Sequence, residues 1–202
     1  MSVAKLAARG VAWNMLFGVG SRLLQLVGTL VLTRFIAPEA YGAVLGASIA
    51  ILTAGLSTSF AFGQFLIANR APARVAFQAA VVHVLLGVVT VGVVILIRKH
   101  LATWFGAPTI AEFIPGFAIA HVLDRVRYVP ERILTRELRY RTIATINGAS
   151  EVLFTIAALI MVRPFGAYAI MFAAILRSAF ATVLFIMLAP RDQWLTPTPL
   201  ER

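Results

Sequence analysis

Cysteine is absent from all 202 residues, so the chain can form no disulfide, thiolate nucleophile or cysteine-based metal site. Histidine is scarce: His83, His100 and His121 are too scattered to make a metal centre, and no metal or other cofactor is expected. No closely spaced pair of acidic residues, of the kind a glycosyltransferase would need, stands in a loop. Neither Gly-x-Ser-x-Gly nor His-Glu-x-x-His occurs, and Gly55-Leu56-Ser57 is too short a match for a serine protease. The expectation is a protein that is not an enzyme. Charge itself is thin, at 13% of residues, while 60% are hydrophobic and the mean hydropathy is +0.90. A soluble domain has about 25% charged and about 45–50% apolar residues, so this composition belongs to an integral membrane protein.

The net charge of +10 is not accompanied by a basic–aromatic groove, and no nucleic-acid partner is expected. Most of the charge lies between apolar stretches, where it orients membrane helices. Lys5 and Arg9 precede an apolar run, as in a signal peptide. That run is interrupted by Asn14, Arg22 and Gln25 and lacks a small-residue cleavage site, which indicates a retained first helix.

Six spans of near-bilayer length can be read: residues 11–35, 41–67, 73–97, 110–129, 143–162 and 165–189. The breaks carry proline or charge: Pro38-Glu39, Arg70-Ala71-Pro72, Arg98-Lys99-His100, Pro130 through Arg141, Arg163-Pro164, and Pro190. The expected fold is all-α, a six-transmembrane-helix bundle over residues 1–190. Residues 191–202 form a polar, proline-bearing cytoplasmic tail or the start of a linker. Lys5, Arg9, Arg70, Arg74, Arg132, Arg136, Arg139, Arg141, Arg191 and Arg202 lie on the N-terminal side of the membrane, against Arg34, Arg98, Lys99 and Arg163 opposite. Ten against four places both termini in the cytoplasm. Gly42, Gly46, Ala50 and Ala54 recur every four residues and should face a neighbouring helix.

Several polar side chains fall at membrane depth. Arg22 lies near the middle of the first span, where an unpaired guanidinium costs roughly 2.5 kcal/mol or more. Asn14, Gly18, Ser21, Gln25 and Thr29 share with it a sector of about 100°, which reads as the wet face of a cavity. In the fourth span His121, Asp124, Arg125, Tyr128 and Arg132 form a descending stripe. In the fifth, Asn147, Glu151 and Thr155 share a face, and Arg177 lies mid-way through the sixth. Arg22, Asn14, Gln25, Arg177, Glu151, Asn147, Asp124 and Arg125 are therefore the candidate cavity residues. Two midplane arginines with one carboxylate suit an anionic substrate such as a diphosphate, because planar guanidinium donors bind phosphate oxygens bidentately. The glutamate tempers the positive charge of the empty cavity and is a candidate titrating or cation-binding group. The alternative is a buried structural network in which Glu151 pairs with one arginine. His83, alone on an apolar span, reads as a packed core histidine.

Leu32-Thr33-Arg34-Phe35-Ile36-Ala37-Pro38-Glu39-Ala40-Tyr41-Gly42 resembles the first-loop signature of bacterial polysaccharide transporters, the Wzx-type O-antigen and exopolysaccharide flippases. The segment from Pro130-Glu131-Arg132 to Leu138-Arg139-Tyr140-Arg141 is similar to that family's connection between the fourth and fifth helices. The resemblance implies the multidrug/oligosaccharidyl-lipid/polysaccharide (MOP) exporter superfamily, whose members have two six-helix lobes around a central cavity and alternate between inward- and outward-open states. It implies one N-terminal lobe here, from a half or truncated transporter that would pair with a second lobe. The implied activity is turning an undecaprenyl-diphosphate-linked oligosaccharide from the cytoplasmic to the periplasmic leaflet of the bacterial inner membrane, beside polysaccharide assembly proteins. An arginine in the first helix matches the cationic cavity of such flippases. Competing readings are a MATE-like multidrug exporter lobe, which wants an acidic cavity, and a non-transporting scaffold of a polysaccharide assembly complex.

Overall fold

The structure, a computed structural model, describes residues 3–57 and 72–195; in the first helix its side chains are described at Met15 and from Gly18 onward. Among the described residues the chain folds into six α-helices and no strand. They are α1 (Val3–Leu32), α2 (Pro38–Ser57), α3 (Ala73–Trp104), α4 (Ile110–Arg136), α5 (Tyr140–Phe165) and α6 (Tyr168–Leu188), followed by a 3₁₀ turn at Arg191–Gln193. The expected second span, 41–67, runs partly outside the described residues.

Four of these helices are long and apolar enough to cross a membrane: α2 over Pro38–Leu56, α3, α5 and α6. The protein is an all-α, multi-pass membrane bundle. α4 is long enough but carries Glu112, Asp124, Arg125, Arg127, Glu131, Arg132 and Arg136. It tolerates them because it is the hub, packed against α2, α3 and α6 and touching α5. A helix walled by other helices answers to protein partners rather than to lipid.

The helix limits depart from the sequence reading where proline was taken as a stop. α4 continues through Pro130 to Arg136, with Pro130 itself buried, and also contains Pro115. A proline removes one intrahelical hydrogen bond, and packing on several sides can offset that loss. Pro38 opens α2 as its first residue, where a missing N–H costs nothing. α3 continues past Ile97 to Trp104 and ends in a Schellman motif, with Gly106 at φ 64° and Ala107 N–H donating to Ala102 O at 3.1 Å. α4 ends the same way. There the left-handed position is taken by Leu138, at φ 58°, with Arg139 N–H bonded to Leu134 O at 2.9 Å.

α1 packs principally along α5, α6 lies between α5 and α4, and α2 lies on α4 and α3. One apolar core joins α2, α3, α4, α5 and α6 around Ala47, Ile114, Phe117, Ala158 and Ala173. A second, at the other end of the bundle, gathers Ala76, Ile133, Leu134, Phe185 and Trp194. In the described part of the segment read as a tail or linker, residues 191–195, Trp194 is only 6% exposed. The neighbouring Gln193 accepts from Arg136 at 2.6 Å and donates to Glu137 at 2.7 Å, tying the segment to the end of α4. α2 uses its small-residue stripe in part: an added Cβ at Gly46 would lie 2.9 Å from Ile110 Cδ1 at the start of α4, and Ala54 packs against the core. The buried face of α2 is Ala43, Val44, Ala47 and Ile51, whereas Gly42 is exposed with open space around it.

Candidate functional site

α1 presents the first candidate residues. Its small side is used for packing: Gly28 is buried so close to Thr155 on α5 that an added Cβ would lie 2.7 Å from Thr155 Cγ2. Gly18, Ser21 and Thr29 are half-buried, whereas Arg22 and Gln25 are exposed. Asn14 belongs to α1, but its side chain lies outside the described residues.

Across the bundle, α2, α4 and α6 enclose a cavity of about 190 Å³ lined by Ser48, His121, Asp124 and Arg177 with apolar neighbours. A second cavity of about 200 Å³ adjoins it, lined by Gly55, His83, Arg125, Tyr128 and Glu131 among others. Leu52, His121 and Asp124 belong to both, so the two form one polar groove.

Its charges are largely matched. Arg177 Nη1 is 3.1 Å from Glu151 Oε1, joining α6 to α5, and the guanidinium carbon lies 5.5 Å from the Phe154 ring. Glu151 Oε2 is buried without a hydrogen-bond partner, leaving one acceptor oxygen uncommitted. Asp124 pairs with Arg127, one turn on, at 3.0 Å. Asn147 is half-buried on α5, one turn before Glu151.

Arg125 is the most enclosed of the candidates, at 5% exposed. Its Nε donates to His121 Nε2 at 3.0 Å, its Nη1 to His83 Nε2 at 3.2 Å, and its Nη2 to the Gly55 carbonyl of α2. His83 stacks on Tyr128 with centroids 4.1 Å apart, and the Arg132 guanidinium lies 4.9 Å from the same tyrosine ring. Glycines make the room. A Cβ at Gly55 would meet His121 Nε2 at 2.7 Å, and one at Gly87 would meet Arg125 Cγ at 2.6 Å.

The structure thus brings Arg177 to Glu151 and gathers Asp124, Arg125 and His121 on one groove, while Arg22 and Gln25 stand on a separate helix. The sequence reading left His83 out of the site. The available signal was Gly87, four residues on and on the same face of α3, a gap that a large side chain from a neighbour must fill.

A family model described as polysaccharide biosynthesis protein matches residues 31–197. The chain belongs to that family. The match covers α2 to α6 and so contains Asp124, Arg125, Asn147, Glu151 and Arg177, whereas Asn14, Arg22 and Gln25 precede it. No curated protein and no solved structure matches the chain. Membership in the family agrees with the resemblance carried by the segments at residues 32–42 and 130–141, both of which fall inside the match.

Proposed function

We propose that this protein serves the translocation of an undecaprenyl-diphosphate-linked oligosaccharide from the cytoplasmic to the periplasmic leaflet of a bacterial inner membrane. The observation that carries this reading is a polar groove within a membrane bundle of a polysaccharide biosynthesis family. Lipid tails cannot solvate Asp124, His121 and Arg177, so a groove lined by them is suited to a polar cargo or to water. Both termini are on the cytoplasmic side, as the basic residues of the connecting segments favour. The protein carries out no bond-making or bond-breaking step, and its partners are the bilayer, the lipid-linked diphosphate, a second transporter lobe and the assembly proteins that receive the product.

In this reading Arg22 supplies the uncompensated positive charge. It is exposed on α1 and has no ion-pair partner among the described residues. Arg177 and Glu151 hold each other until a diphosphate competes for the guanidinium. A multidrug exporter of cations fits less well, because Asp124 and Glu151 are each already paired with an arginine.

The test is complementation of a flippase-deficient strain with the intact protein as its gene encodes it. Arg22→Ala should abolish surface polysaccharide while the protein still reaches the membrane at normal levels. Arg22→Lys should restore export in part, since an ammonium supplies charge without the planar fork. Normal export by Arg22→Ala would remove Arg22 from the anion site. Failure of the wild type to complement would defeat the translocation reading itself.

A further inference from the structure

The sequence pattern groups Arg125 with the cations of an anion cavity, but the fold gives its guanidinium other work. Each of its three nitrogens has an intramolecular partner: His121 Nε2, His83 Nε2 and the Gly55 carbonyl. A guanidinium has five N–H donors and no acceptor, and it does not deprotonate in proteins. Both imidazole nitrogens that face it must therefore accept. An imidazole that accepts at Nε2 carries its proton at Nδ1, and an imidazolium has no acceptor nitrogen to offer. The arrangement specifies one state for each ring: neutral, with the proton on Nδ1.

The surroundings hold that state in place. Gly55 and Gly87 leave no space for a side chain between the backbone and the His121–Arg125 pair. His83 is 2% exposed and stacked on Tyr128, which fixes the plane of its ring. His121 lines both parts of the groove.

We propose that Arg125 is a positioning residue: it fixes His121 as the Nδ1–H tautomer, so that this imidazole donates a hydrogen bond to an oxygen acceptor on the molecule in the groove. Arg125 itself does not bind that molecule. The acceptor is a phosphoryl oxygen or a sugar hydroxyl, which present the same chemistry to an N–H donor. The identity of the molecule rests on the translocation reading; the tautomer does not.

The experiment uses the full chain in lipid nanodiscs with ¹⁵N-labelled histidine. Three histidines make the imidazole spectrum assignable by single substitutions, and His100, outside the cluster, is the internal control. In the wild type, His83 and His121 should each show a pyrrole-like Nδ1 and a pyridine-like Nε2. In Arg125→Gln, His121 should lose its fixed tautomer while His100 is unchanged. An Nε2–H tautomer at either ring in the wild type overturns the lock, and that measurement needs no variant to fold. Sodium pyrophosphate and lactose, added separately, distinguish the two sources of acceptor by which one shifts His121 Nδ1; a signal moved by neither overturns the donor role.

A second readout separates donor geometry from mere packing. An asparagine amide reaches the position of Nδ1 and a glutamine amide that of Nε2. His121→Asn should therefore support about tenfold more export than His121→Gln, the worth of one hydrogen bond kept or lost. Equal export by the two variants would overturn the role of the Nδ1–H. Absence of export in the wild type would fail the translocation reading alone, because the tautomer and the pyrophosphate and lactose shifts are read without it.

Discussion

Arg177 on α6 and Glu151 on α5 form an ion pair at 3.1 Å, with side chains still 30% and 29% exposed. Exposure on that scale lowers the worth of the pair below that of a fully buried one, for which breaking one side costs about 3–5 kcal/mol. Each single neutral substitution, Glu151→Gln or Arg177→Gln, should lower stability by roughly 1–3 kcal/mol. The double substitution should recover most of that loss. If the two residues also act on the cargo or a coupled ion, the double variant will fold and fail to export. Thermal unfolding and complementation of the four proteins check this, and an exporting double variant would assign the pair to structure alone.

Gly55 and Gly87 are expected to be far less tolerant than Gly42. A Cβ at either of the first two runs into a side chain held in the Arg125 cluster, at 2.7 Å from His121 Nε2 or 2.6 Å from Arg125 Cγ. Gly55→Ala and Gly87→Ala should each cost about 1–3 kcal/mol, the usual effect of overpacking. Gly42→Ala, in open space within a helix, should be neutral or stabilise by up to about 1 kcal/mol. Unfolding temperatures of the three variants decide it.

The segment after α6 should behave as part of the bundle. Trp194→Ala removes a side chain that is 6% exposed in the second core, and should destabilise by about 3–5 kcal/mol. Gln193→Ala removes two hydrogen bonds, to Arg136 and Glu137, and should cost about 1–3 kcal/mol. Wild-type melting of either variant would show that residues 191–195 are not held to α4.

Topology can be read directly because the chain contains no cysteine. A cysteine at Thr135, near the basic end of α4, should be shielded from a membrane-impermeant thiol reagent in intact cells. One at Thr103, exposed at the other end of α3, should react. The reverse pattern would invert the orientation drawn from the basic residues.

The sequence alone determined that this is a helical membrane protein, because an apolar fraction of 60% over runs of bilayer length leaves no other way to satisfy the backbone. It also singled out Glu151 and Arg177, which the fold pairs at 3.1 Å, as charges within apolar helices, since hydropathy is a local property. Proline was a poorer guide: Pro130 marks a stop in isolation, but α4, packed against four neighbouring helices, stays helical to Arg136. Composition could not foresee that Trp194 folds back beneath the bundle, because its burial depends on where the ends of α4 and α6 meet. Nor could periodicity show that Gly28 of α1 packs on Thr155 of α5. Helical spacing states which residues share a side and not what lies opposite. The partners of Arg125 were hidden for the same reason. His83 and Gly55 lie 42 and 70 residues away along the chain, and only the packing of α2 and α3 on α4 brings their acceptors to one guanidinium.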